Sequence, residues 1–159
     1  MTSILPPFSF RFPGVILMAW LILNGCGTLI KKSHQKDMER LQRIIKIYNN
    51  EFESKSNRAG AMWVRDDLKA EYLTRIKEVF DRVTFMNSQI LSITFKSQGK
   101  PIAQNGSVPE EDFDEALVAI RYEYVLSPSI SLKTKVIQQR WTKQDGSWKL
   151  VPDLKEFLQ

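Results

Sequence analysis

Arg140-Trp141-Thr142-Lys143-Gln144-Asp145-Gly146-Ser147-Trp148-Lys149-Leu150-Val151 (RWTKQDGSWKLV) reads as a β-hairpin. Asp145-Gly146 between two runs rich in aromatic, β-branched and aliphatic residues is a two-residue turn of the kind that needs positive backbone φ, and glycine meets that need without steric cost. The upstream arm extends back through Leu132 to Lys143, rich in Thr, Val, Ile and Trp. The downstream arm, Trp148 to Val151, is short because Pro152 has no N–H to continue a ladder.

Two further strands are expected before this hairpin. Val118, Ile120, Tyr122, Tyr124 and Leu126 alternate with Ala119, Arg121 and Glu123, and Ser127-Pro128-Ser129 then turns the chain. Further upstream, Val83, Phe85, Asn87, Gln89, Leu91, Ile93 and Phe95 fall on one side of an extended strand, with Asn87 and Gln89 as polar interruptions. Between these strands Ser97 to Asp112 is a polar connection containing Gly99, Pro101, Asn105-Gly106 and Pro109. Asn105-Gly106-Ser107 fits a glycosylation sequon but reads as a turn. The tail from Asp153 to Gln159 carries Leu154 and Phe157, two apolar side chains able to pack back on the body.

The period changes from two to about 3.6 in the part preceding the sheet. Met38, Leu41, Ile45, Tyr48 and Phe52 line one face of an amphipathic helix beginning at Lys36, with Glu39, Arg40, Arg43, Lys46 and Glu53 opposite. Ser54 to Gly60 (SKSNRAG) is expected to be a loop. Leu68, Tyr72, Ile76 and Val79 mark a second helix ending near Asp81, with Asp66 and Asp67 at the end where the helix dipole favours negative charge. The expected fold is therefore α+β: two N-terminal helices packed on a curved antiparallel sheet of about four strands, cone-like and spanning 36–159 as one domain.

The preceding segment has a different composition. Phe12 to Ile30 carries no charged side chain, and Arg11 is the one charge before it. Its most apolar part, Val15 to Leu23, is short for a bilayer span, whereas the whole uncharged run approaches the ~20 residues a span needs. Leu23-Asn24-Gly25-Cys26 closes the apolar stretch and resembles the lipobox of bacterial lipoproteins, with Asn24 standing where a smaller or β-branched residue is more usual. The resemblance implies a signal peptide over 1–25, cleavage before Cys26, diacylglycerol (palmitate-bearing) on the Cys26 thiol, and a tether over 26–35. Gly27, rather than Asp, after the cysteine implies by the same resemblance the periplasmic face of the outer membrane. The other reading is an uncleaved signal-anchor helix. Lys31, Lys32 and Lys36 after the run, against Arg11 before it, would then leave the domain in the cytoplasm.

Charge and residue types narrow the function classes. The formal net charge is +5, and much of the excess sits on Lys31, Lys32, Lys36, Arg40, Arg43 and Lys46, opposed by Asp37 and Glu39. Without a recognisable groove-reading or base-stacking module this is not a nucleic-acid footprint. Beside a membrane anchor, each such cation gains about 1 kcal/mol near anionic headgroups. Cys26 is the lone cysteine, and His34, the lone histidine, falls in the tether as a solvated residue, so nucleophilic triads, zinc sites and other cofactors are not expected.

The closing hairpin, with the helix-loop-helix order before it, is similar to nuclear transport factor 2-like domains over residues 36–152. The resemblance implies a cone whose helices and sheet enclose a pocket, catalytic in some members, such as steroid isomerases and polyketide cyclases, and purely binding in others. Trp63, Tyr72, Asn87, Gln89, Tyr122, Tyr124 and Trp141 are the candidate lining; the aromatic members of that set read equally as core. Strand alternation turns Glu123 away from Tyr122 and Tyr124, leaving no acid and base facing one cavity. The expectation is a non-catalytic envelope lipoprotein binding a protein partner or a small apolar ligand. An isomerase- or cyclase-type cone enzyme and the single-helix membrane protein are the alternatives.

Overall fold

The computed structural model describes residues 25–102 and 112–158. Helix α1 (Gly25–Glu53) leads, followed by the single-turn helix α2 (Asn57–Ala61), a 3-10 turn (Asp66–Leu68) and helix α3 (Lys69–Arg82). Strands β1 (Val83–Ser97), β2 (Lys100–Pro101), β3 (Glu115–Leu126), β4 (Leu132–Gln144) and β5 (Ser147–Val151) complete the domain, with a last 3-10 turn over Lys155–Phe157. The five strands form one antiparallel sheet in the order β2-β1-β3-β4-β5, with the helices at one face. The fold is α+β, as the change of period indicates.

Helix α1 replaces the expected tether. From Thr28 to Glu53 the chain has neither Gly nor Pro, so no breaker interrupts the helix over 28–35, and it begins at Gly25. This moves His34 from solvent to the core. It stands seven residues before Leu41, on the face that carries Leu41, Ile45, Tyr48 and Phe52, and is 7 % exposed. Its Nε2 donates to Asp112 Oδ1 at 2.9 Å, and its ring meets Phe113 edge-on at 5.4 Å. Further along, Lys143 Nζ sits 2.6 Å from Asp37 and 4.5 Å from the Phe113 ring, clamping α1 against the end of β4.

The expected loop over Ser54 to Gly60 contains α2. Gly60 is required there by proximity: a Cβ at that position would lie 2.9 Å from Tyr72 Oη. Helix α3 buries Tyr72, Ile76, Val79 and Phe80 against the sheet. The fifth strand, β2, arises inside the expected polar connection, because Gln98 (φ 49) and Gly99 (φ 79) form a two-residue turn that folds Lys100 back on Ser97. Asn105-Gly106-Ser107 and Pro109 lie outside the described residues.

Strand β1 also departs from simple alternation. Register shifts between Phe85 and Asn87 and between Ile90 and Ser92 each add a residue relative to β3. The first reverses the facing of the next few residues, so Asn87 and Gln89 lie on the outer face while Val83 and Phe85 point inward. The second restores it, and Phe95 is 1 % exposed.

The closing hairpin has the expected turn, Asp145 (φ 50) and Gly146 (φ 71), with Trp141 opposite Leu150. Backbone bonds from Leu150 N to Trp63 O (2.7 Å) and from Arg65 N to Leu150 O (2.9 Å) cover the outer edge of β5. Leu154 and Phe157 pack back as expected, and the Phe157 ring lies 5.3 Å from Phe52, 5.1 Å from Phe85 and 5.2 Å from Tyr122. On the outer face, Glu115 is joined to Arg140 at 2.8 Å and to Lys96 at 3.3 Å. Burial pushes its carboxyl up, but hydrogen bonds from Arg140 and Lys96 together hold it below the ordinary value.

Candidate functional site

Helix α1, β3 and β4 meet in the centre of the cone around four polar side chains. Asn49 is 3 % and Gln139 8 % exposed, with Tyr122 and Trp141 buried beside them. Asn49 donates through Nδ2 to Ile45 O at 2.8 Å, and its Oδ1 accepts from the Tyr122 hydroxyl and from Gln139 Nε2, the latter at 2.8 Å. Gln139 Nε2 also donates to Tyr122 Oη at 2.9 Å, while Gln139 Oε1 accepts from Trp141 Nε1 at 3.2 Å. Each of these four side chains thus meets its polar needs through its neighbours, as burial demands.

The space left over is small. A cavity of about 20 Å³, lined by Tyr48, Phe52, Tyr122, Gln139, Leu154 and Phe157 among others, has room for about one water molecule. Tyr72, Tyr122, Tyr124 and Trp141 are 1, 1, 5 and 0 % exposed. They are core aromatics, and Phe157 packs against two of them, Tyr122 and Tyr124. Asn87 and Gln89 do not join them: Gln89 Oε1 instead accepts a hydrogen bond from Arg121 on the outer face. Sequence patterning does not single out Asn49, Gln139 or the His34–Asp112 pair. Asn49 carries the nearest thing to a signal, a polar residue four after Ile45 and three before Phe52 on the apolar side of a helix.

Burial sets the acid–base behaviour of the interior. It raises the Tyr72 phenol to about 12, against a lowering contribution from its hydrogen bond with Tyr48. Tyr48 and Tyr122 are likewise pushed up, again chiefly by burial. A phenol whose folded pKa is raised contributes stability that is intact below the ordinary value near 10 and lost as pH rises through the folded value. Alkaline titration is therefore expected to unfold the domain in the window from pH 10 towards about 12, with phenolate absorbance and far-UV circular dichroism changing together. Phenolate appearing well before the loss of secondary structure would contradict this.

A larger concavity lies outside the cone. Lys36, Arg40, Arg43, Ile44, Ile47 and Trp63, with Glu39, border an open groove of about 530 Å³ on the outward side of α1. Trp63, one of the expected pocket residues, is half-buried here and its indole N–H has no hydrogen-bond partner among the described residues. No trio of His, Cys, Asp or Glu among the described residues could hold a metal ion. Leu23 and Asn24 of the lipobox-like run lie outside the described residues, while Gly25 and Cys26 open α1. No helix among the described residues is long and apolar enough to cross a membrane.

No family model matches the chain, and no curated protein matches it. Among solved structures, the chain is similar to Rv3472, a function-unknown protein from Mycobacterium tuberculosis, at 14 % identity and a TM-score of 0.51, covering 75 % of this chain and 70 % of the other. At that identity the likeness extends to the fold alone.

Proposed function

We propose that this chain is a lipoprotein of the bacterial cell envelope, held by acyl chains on Cys26 at the periplasmic face of the outer membrane, whose nuclear transport factor 2-like domain binds a protein partner without catalysis. The observation that carries the binding half of the reading is the closed interior. Asn49, Tyr122, Gln139 and Trp141 use their hydrogen-bonding groups on one another, and the cavity beside Tyr122 and Gln139 has about 20 Å³, far below what even a small apolar ligand fills. Recognition then falls to the surface. Met86, Leu91, Leu132 and Val136, which are 61, 48, 61 and 51 % exposed, offer apolar contacts on the sheet side. An isomerase- or cyclase-type site would draw on Asn87 and Gln89, and these sit outside the cone.

The anchor half rests on Leu23-Asn24-Gly25-Cys26 after an uncharged run. Several acyl chains make a lasting anchor because each buried methylene contributes about 0.8 kcal/mol. Metabolic labelling with a palmitate analogue is expected to mark the wild type and leave Cys26→Ala blank. Mass spectrometry of the native protein is expected to find a diacylated Cys26 at its N-terminus; Met1 there would establish the uncleaved-helix reading instead. For the partner, a photo-crosslinker at Val136 in intact cells is expected to capture one envelope protein, and labelled cells yielding no adduct would remove the binding role.

A further inference from the structure

Helix α1 shows two unlike sides. Leu41, Ile45, Tyr48 and Phe52 bury one of them in the core. The other carries Lys36, Arg40 and Arg43 over a floor made by Ile44, Ile47 and Trp63. None of the three cations has an acidic partner among the described residues, although the domain's other basic side chains include several that do: Lys69, Arg75, Lys96, Lys135, Arg140 and Lys143. The one carboxylate at the groove, Glu39, is occupied by Gln35 Nε2 at 3.0 Å. A concavity with an apolar floor, a cationic rim and a half-buried indole ring matches the chemistry of a phospholipid interface, where tryptophan and snorkelling Lys and Arg collect.

The position of the groove relative to Cys26 points to the same occupant. Helix α1 runs without a break from Gly25 to Glu53, so a lipid on Cys26 would be joined to the groove by rigid helix. Positions 26 and 44 are separated by about five full turns at 3.6 residues per turn, and therefore share a helix face. A domain anchored there can lay α1 along the bilayer with the groove against the headgroups. We infer that the Lys36, Arg40, Arg43, Ile47 and Trp63 groove seats anionic phospholipid headgroups of the membrane surface, fixing how the domain lies on it. The inference rests on the anchored reading above and deepens it. Orientation by this groove leaves the outer face of the sheet free for a partner.

The test uses the full chain purified from membranes and reconstituted into vesicles, either of phosphatidylcholine alone or of phosphatidylcholine mixed with phosphatidylglycerol. Tryptophan fluorescence is quenched by lipids brominated close to the headgroup, and the difference between wild type and Trp63→Phe isolates Trp63. Quenching of Trp63 is expected in the mixed vesicles, with little in the neutral ones. The double variant Arg40→Glu/Arg43→Glu is expected to reduce it at least about tenfold while circular dichroism stays unchanged. Equal quenching in both vesicles, or no response to charge reversal in a folded variant, overturns the inference. Loss of quenching under excess inorganic phosphate, but not under chloride at equal ionic strength, also overturns it by making the groove a site for free phosphate. An unmodified Cys26 by mass spectrometry would defeat the anchor without deciding the quenching result, so the two failures are distinguishable.

Discussion

Phe52→Ala is expected to lower the unfolding free energy by about 4 kcal/mol, a large part of the roughly 5–15 kcal/mol typical of a whole domain. Phe52 is the ring at which α1, α3, β1, β3 and the tail meet. Its centroid lies 5.7 Å from Tyr48, 5.5 Å from Phe80, 4.7 Å from Phe85, 6.0 Å from Tyr122 and 5.3 Å from Phe157. Truncation removes both the transfer energy of the side chain and the contacts of its neighbours, which belong to several separate elements and cannot close the void together. The measurement is urea denaturation, with the midpoint falling and the slope unchanged. Phe52→Leu, which keeps much of the volume, is expected to recover more than half of the loss. A Phe52→Ala cost below about 1 kcal/mol would mean that the tail and helix do not pack as described.

Asn49→Ala is expected to cost about 3 kcal/mol, and for a different reason. The side chain is small, but its removal strands the Tyr122 hydroxyl and part of the Gln139 amide in a space water hardly enters. Buried groups that lose a partner suffer their full desolvation cost, about 1–3 kcal/mol each. Tyr122→Phe takes out one of those stranded donors, so Asn49→Ala/Tyr122→Phe should cost less than the sum of the single changes by about 1 kcal/mol or more. Additive losses in that double-mutant cycle would show that the two side chains are not coupled. A cluster of this kind also fixes the register of β3 and β4 against α1, because a shift of either strand by one residue would turn Tyr122 or Gln139 outward.

Much of the fold is legible in the sequence because it rests on local rules. Asp145-Gly146 names its turn, the alternation from Val118 to Leu126 names a strand buried on one face, and the spacing of Leu41, Ile45, Tyr48 and Phe52 names a helix face. Apolar periodicity alone, however, places the start of α1 too late. His34 belongs to that period, but a polar residue does not register as part of an apolar stripe until Asp112 and Phe113 are seen to receive it. The site is less legible. Asn87 and Gln89 obey the period of two in the sequence, and only two irregularities in pairing with β3, a non-local matter, send them to the other face. The aromatic residues stand out from sequence; that Phe157 packs against Tyr122 and Tyr124 depends on where the tail returns.

The two bulges of β1 act on backbone as well as on side chains. Apart from its last two residues, which meet β2, this strand has no neighbouring strand on its far side among the described residues. A straight ribbon of that length would offer evenly spaced N–H and C=O groups to any extended peptide. Interrupting the spacing twice leaves an incoming chain out of step after a few residues, which guards this long edge against zipping into fibres with other copies of the chain.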